Sequence, residues 1–276
     1  MPHHSTEDFE GQFAVRIDEA WELVRVSADV VYRYVSVGPS LATPVHTAAW
    51  RLHLVAAARQ LSVLQCLRMK ETSEGASALL RGLLEAWAHL DFLSDDGQED
   101  TARCRAIRWQ LGDLLEVEGL GKELRAAGAT AAQLVELDDL SARRADLLAA
   151  ATDCRCRDHP PWTRARVPAV LKAVAQQDPR LRWIVALYGS TSSGVHMYGS
   201  NQLLHVDDLG QATVTWVLPS VRTQYLTWAN VAYGKVSQLT ERAMSDDPHD
   251  SGFFPRMQAL LEDPLLREAG RGRFDT

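Results

Sequence analysis

The chain has 276 residues and a formal net charge of −7, with 46% hydrophobic and 24% charged residues. That length and composition suffice to bury a sizeable core and exclude a chain disordered throughout. The acidic balance disfavours a nucleic-acid partner, since phosphate binding draws on a basic surface. No stretch of roughly 18 residues is both apolar and uncharged, so a membrane-spanning helix is not expected.

Met1 to Glu10 is polar and acidic and lacks the apolar segment of a signal peptide. The four cysteines, Cys66, Cys104, Cys154 and Cys156, are therefore expected to be reduced, with Cys66 and Cys104 as small buried hydrophobes. A bacterial-type cytoplasm is the expected location.

Phe13 to Val35 reads as helix, with apolar residues at Phe13, Ile17, Trp21, Val24, Val31 and Val35. Gly38 and Pro39 end it. A second helix runs from about Pro44 to Lys70, capped by Thr43 with Pro44 in the first helical position. A third spans about Ser73 to Leu93, with Ser73 as its cap. Gly97 interrupts, and Asp100 to Val117 continues as helix up to Gly119 and Gly121. Ala129 to Ala151 is rich in good helix formers. Asp153 to Pro161 is the clearest loop.

Val167 to Gln176 returns to helix, and Asp178-Pro179 opens the next, which reaches at least Tyr188. Gly189 to Gly194 is unusually polar for a helix interior. Gln211 to Leu218 alternates like a strand, with His205-Val206 its partner across the Asp207–Gly210 turn. A last helix spans about Ser220 to Ser245. These elements predict an all-α fold: one domain over 1–276, a bundle of about eight helices with one small β-hairpin near 204–218. The lead 1–10 and the tail 248–276 are expected to be loosely ordered.

Residues four apart share a helix face. In the third helix Ala78, Gly82, Ala86 and Leu90 form a row of mostly small residues. The rows through Leu79, Leu83, Trp87, Asp91 and through Leu80, Leu84, Ala88, Phe92 are mainly apolar. Only the row Arg81, Glu85, His89, Leu93 carries a run of ionisable groups. It reads either as a solvent-facing stripe with an ordinary Arg81–Glu85 pair, or as one wall of a cleft where Arg81 clamps Glu85 or a ligand anion.

A second polar row, Tyr188, Ser192 and His196, forms if the helix survives Gly189 and Gly194. Together the two rows would make an acid–base site. Glu85 and His196 would move protons, and Ser192 would position or attack substrate. Arg81, His89, Tyr188 and Ser193 would bind it. The bland alternative is local serine back-bonding and a satisfied core histidine.

The segment Ala78–Leu93, a charged helix after it, Trp162 after a loop, and then Tyr188 with Ser192-x3-His196 resemble a bacterial all-helical family of unknown function. Its pattern is an Arg-x3-Glu helix followed by a Ser-x3-His segment. The likeness spans roughly residues 45 to 200 and excludes His89 and 205–276. It implies a helical fold and a joint role for Arg81, Glu85, Ser192 and His196, without a substrate or reaction.

Other constellations compete. Asp95-Asp96-Gly97-Gln98-Glu99 resembles the Asp-rich motif of class I terpene synthases, which implies Mg²⁺ on Asp95, Asp96 and Glu99 holding a prenyl diphosphate. The second metal motif of that family has no counterpart, because Gly234 and Gln238 follow Asn230 at the required spacings. Cys154, Cys156 and His159 offer three zinc ligands where a structural site wants four. Glu85 and His89 could hold a metal with His196 or His205, or with His46 and His53 approaching from the second helix. Helical HEPN-type ribonucleases use an Arg-x4-6-His motif, and here seven residues separate Arg81 from His89. The leading expectation is an enzyme of hydrolase or lyase type that needs no cofactor and acts on a small anionic or polar molecule. The runner-up is the Mg²⁺-dependent terpene-type enzyme. The third reading is a non-catalytic helical binding or regulatory protein. A homodimer is compatible with each.

Overall fold

The structure, a computed structural model, describes residues 6–37, 43–69, 75–94, 99–130, 134, 143–150, 166–195, 204–206, 212–214 and 219–244. The fold is all-α. Its helices are α1 (Thr6–Val37), α2 (Pro44–Arg68), α3 (Gly75–Leu93), α4 (Glu99–Ala126), α5 (143–150), α6 (Val167–Gln177), α7 (Trp183–Val195) and α8 (Pro219–Met244). A 3-10 turn at Pro179–Leu181 joins α6 to α7. The expected hairpin is present as β1 (Leu204–Val206) and β2 (Ala212–Val214), antiparallel with His205 opposite Thr213.

Most local expectations are met for the reasons the sequence suggests. Thr43 caps α2, its hydroxyl accepting from the His46 amide at 3.2 Å. Ser73, the expected cap of α3, lies outside the described residues. Asp178 caps the turn that leads into α7, its carboxylate accepting from the Arg180 amide at 3.1 Å.

The expected end of α4 is wrong. The helix runs through Gly119 and Gly121 and stops only after Ala126. A helical glycine costs about 1 kcal/mol relative to alanine, which packing elsewhere can absorb. The true stop is Gly128, at φ +86°. There Ala129 N–H donates to Leu124 O at 2.9 Å and Gly128 N–H to Arg125 O at 3.1 Å. Those two bonds define a Schellman cap, which needs a left-handed residue.

A second correction concerns Cys104. It is 5% exposed, as expected of a small hydrophobe, but it is disulfide-bonded, to a partner outside the described residues. Burial and disulfide formation are compatible, and helical spacing cannot separate them.

The core follows from α3. Leu80, Leu83, Leu84, Trp87 and Leu90 are all at most 2% exposed. Burying each such side chain contributes about 1.5–3 kcal/mol. With three of its four rows largely apolar, α3 must be surrounded, and it packs on α2, α4, α6, α7 and α8. The alanines Ala48, Ala49, Ala56 and Ala57 of α2 are buried and let neighbouring backbones approach closely.

Arg222 ties α8 to two other helices from within the core. It is 2% exposed. Its Nη1 donates to Glu10 at 2.8 and 3.1 Å, and its Nη2 donates to Leu67 O at 2.7 Å. Leu67 O is one of the last carbonyls of α2, which have no partner inside the helix. The guanidinium also sits 4.6 Å from the centroid of the Phe13 ring.

Gly82 breaks the pattern of good helix formers in the middle of α3. The three atoms nearest to an added Cβ all belong to the side chain of Arg59, the closest being Nε at 3.3 Å. Arg59 is exposed and flexible, so it can yield. Gly82→Ala is therefore expected to stabilise the protein by about 0.5–1 kcal/mol. A urea melt that shows destabilisation would mean that the small row is needed for close helix contact.

Candidate functional site

The polar row of α3 is neither a solvent stripe nor a sealed interior. The side chains of Arg81 and Glu85 are 25% and 20% exposed. Arg81 Nε donates to Glu85 Oε1 at 3.0 Å, one helical turn away. Tyr188 reaches across from α7, 9% exposed. Its hydroxyl donates to the same Glu85 oxygen at 3.4 Å and accepts from Arg81 Nη2 at 3.2 Å. The Arg81 guanidinium also lies 4.8 Å from the centroid of the Tyr188 ring. Three groups from two helices thus close a ring of contacts.

The electrostatics follow from that geometry. The hydrogen bond to Glu85 raises the Arg81 pKa, so the guanidinium stays charged. Burial, and then the Glu85 charge, raise the Tyr188 pKa above its ordinary value. The phenol is thus a neutral proton donor across the physiological range. Both described contacts to Glu85 fall on Oε1. Its Oε2 has no partner among the described residues.

The backbone of α7 continues through Gly189 and Gly194 to Val195. Ser192 is therefore one helical turn beyond Tyr188, with Ser193 beside it in sequence. The side chains of both serines lie outside the described set, as does His196, the next residue along. His89, the next polar residue of the α3 row, turns to α4. Its Nδ1 accepts from Trp109 Nε1 at 3.2 Å, and the two rings meet edge to face at 6.1 Å.

Among the described residues no three His, Cys, Asp or Glu side chains converge as a metal site. His89 accepts from Trp109, and His53 lies beside Ser27 of α1 and Tyr233 of α8. Asp95, Asp96, Cys154, Cys156 and His159 lie outside the described residues. Glu99 opens α4, and His205 sits in β1, both with side chains outside the described set.

A second polar cluster escaped the sequence reading. His53 of α2 is fully buried. Its Nε2 lies 3.0 Å from Ser27 Oγ of α1 and 3.4 Å from Tyr233 OH of α8. Tyr233 OH donates to Ser27 Oγ at 2.9 Å, and Ser237 Oγ is 3.3 Å from Ser27 Oγ. Two turns along α2, Gln60 Nε2 donates to Asn230 Oδ1 at 2.8 Å. The available signal was a paired spacing: His53 and Gln60 seven apart on α2, Asn230 and Ser237 seven apart on α8. Each pair is a polar seam on a buried face.

No protein-family model, no curated protein and no solved structure matches this chain. Among the described residues, no helix is long and apolar enough to cross a membrane.

Burial lowers the His53 pKa from 6.5 to about 4 and is its only resolved cause. The unfolded chain therefore takes up this proton first. Stability contributed by neutral His53 is complete above the unfolded pKa of 6.5 and falls as the pH drops towards 4. The full loss is about 3 kcal/mol. Chemical denaturation at pH 7 and pH 4 should show this slope, and His53→Leu should flatten it. An unchanged slope in the variant would place the titration elsewhere.

Proposed function

We propose that the protein is an enzyme that performs acid–base chemistry on a small polar or anionic molecule at the Arg81–Glu85–Tyr188 group. The observation that carries this reading is the meeting of the Tyr188 hydroxyl, from α7, with the Arg81–Glu85 pair of α3. Glu85 Oε2 would accept a proton from substrate. Tyr188, kept protonated, would donate a hydrogen bond to the charge that develops. Arg81 orients Glu85 and would carry an anionic substituent of the substrate. Ser192, Ser193 and His196, which follow Tyr188 in the chain, would extend the site, with His196 as a second proton carrier and Ser192 as the group that positions or attacks substrate. The resemblance of residues 45–200 to a helical family with the same Arg-x3-Glu and Ser-x3-His pattern favours this joint role. A hydrolase or lyase fits the inventory.

One observation favours the non-catalytic reading. Arg81, Glu85 and Tyr188 satisfy one another, and His89 is engaged by Trp109. Such contacts can serve to specify helix packing alone. A cytoplasmic location is the expectation from the sequence, and the Cys104 disulfide opposes a reducing compartment.

Glu85→Gln and Tyr188→Phe separate the two roles because both keep shape. Turnover can be sought with a panel of chromogenic carboxylate and phosphate esters. Each variant is expected to lose about 100-fold or more of the wild-type rate while remaining folded. If the folded variants keep the wild-type rate, or differ only in melting temperature, the cluster is structural.

A further inference from the structure

A cleft of about 200 Å³ opens between α2, α4 and α5, away from the Arg81–Glu85–Tyr188 group. Arg51, Gln110, Leu114, Arg143, Asp146 and Leu147 line it. We propose that this cleft binds a small organic anion, a carboxylate or phosphate monoester with a compact apolar body.

Two guanidiniums reach the cleft from different helices, and neither is committed. Arg51 makes only a long ion pair, 3.8 Å from Asp113, whose side chain is 49% exposed. Arg143 has no hydrogen-bond or ion-pair partner among the described residues, and neither does Asp146, three residues further along α5. The neighbouring arginine is different. Arg144 is held by both oxygens of Glu118, at 3.2 and 3.0 Å. That pair fastens α5 to α4 and leaves Arg143 to face the cleft.

The remaining wall fits the second half of the ligand. Leu114 and Leu147 are apolar surfaces from α4 and α5. Gln110 is held in place by its own donation to Pro44 O at 2.9 Å, which joins α4 to the start of α2. Two guanidiniums and two leucines lining one cleft suit a planar oxyanion attached to a hydrocarbon group. Asp146 opposes an anion. Its carboxylate sets the polarity of the test, because removing it must favour an anionic ligand and disfavour a cationic one.

Isothermal titration of the full chain with benzoate, phenyl phosphate and inorganic phosphate would test the assignment. Saturable binding of benzoate or phenyl phosphate is expected, tighter than that of inorganic phosphate. The stronger of the two names the head group. Arg51→Gln and Arg143→Gln should each weaken binding about tenfold, the loss of one charge-assisted contact. Asp146→Asn should strengthen it, a gain that a damaged fold cannot mimic. Circular dichroism would verify that the variants fold. The proposal is overturned if neither phenyl compound binds saturably, if inorganic phosphate binds as tightly as both, if the folded arginine variants bind unchanged, or if Asp146→Asn weakens binding.

Discussion

The near-complete apolarity of α3 is the constraint on which the other helices depend. A helix with one apolar stripe can lie on a surface, but one with three largely apolar rows must be enclosed. Enclosure by α2, α4, α6, α7 and α8 fixes which helices are neighbours. It also denies Arg81 and Glu85 full hydration. A charged side chain that is 20–25% exposed must find partners or lose part of its solvation uncompensated. Tyr188 supplies one partner from across the interface and brings a proton donor with it. The candidate site is thus a consequence of the core.

The same logic operates at Arg222, where enclosure is more severe. A guanidinium 2% exposed is retained because Glu10, Leu67 O and the Phe13 ring surround it. These three partners come from α1 and α2, so one buried charge fixes the orientation of both helices relative to α8. Truncating Glu10 would leave the buried Arg222 charge without its carboxylate, which costs more than the intact pair contributes. Polar groups in this bundle therefore act as register marks between helices whose apolar faces would tolerate sliding.

Much of this was legible in the sequence. Periodicity marks the helices from α1 to α8 and the hairpin, and the four-residue spacing along α3 singles out Arg81 and Glu85. Tyr188 was singled out by spacing alone. Glycine was over-read at Gly119 and Gly121, because a glycine halts a helix only where a left-handed residue completes a cap. Gly128 meets that condition. The meaning of Cys104 was not legible, because pairing depends on distance in space. His53 was seen only as a distant metal candidate. Its true partners, Ser27 and Tyr233, are separated from it by 26 and 180 positions in the chain.

The two polar clusters invite comparison because the richer inventory is the less suitable one for catalysis. Ser27, His53 and Tyr233 lie within hydrogen-bond reach of one another, which is how a nucleophile and its base are usually found. Yet all three are at most 3% exposed. Burial has lowered the imidazole's proton affinity to a pKa of about 4 and raised the Tyr233 phenol to about 12. A base that holds a proton only below pH 4 is a weak one at neutral pH, and no substrate reaches it without the helices parting. At the other cluster Arg81 and Glu85 are 25% and 20% exposed, and a carboxylate oxygen is left to accept. Access to solvent, more than the number of polar groups, separates a candidate site from a polar core.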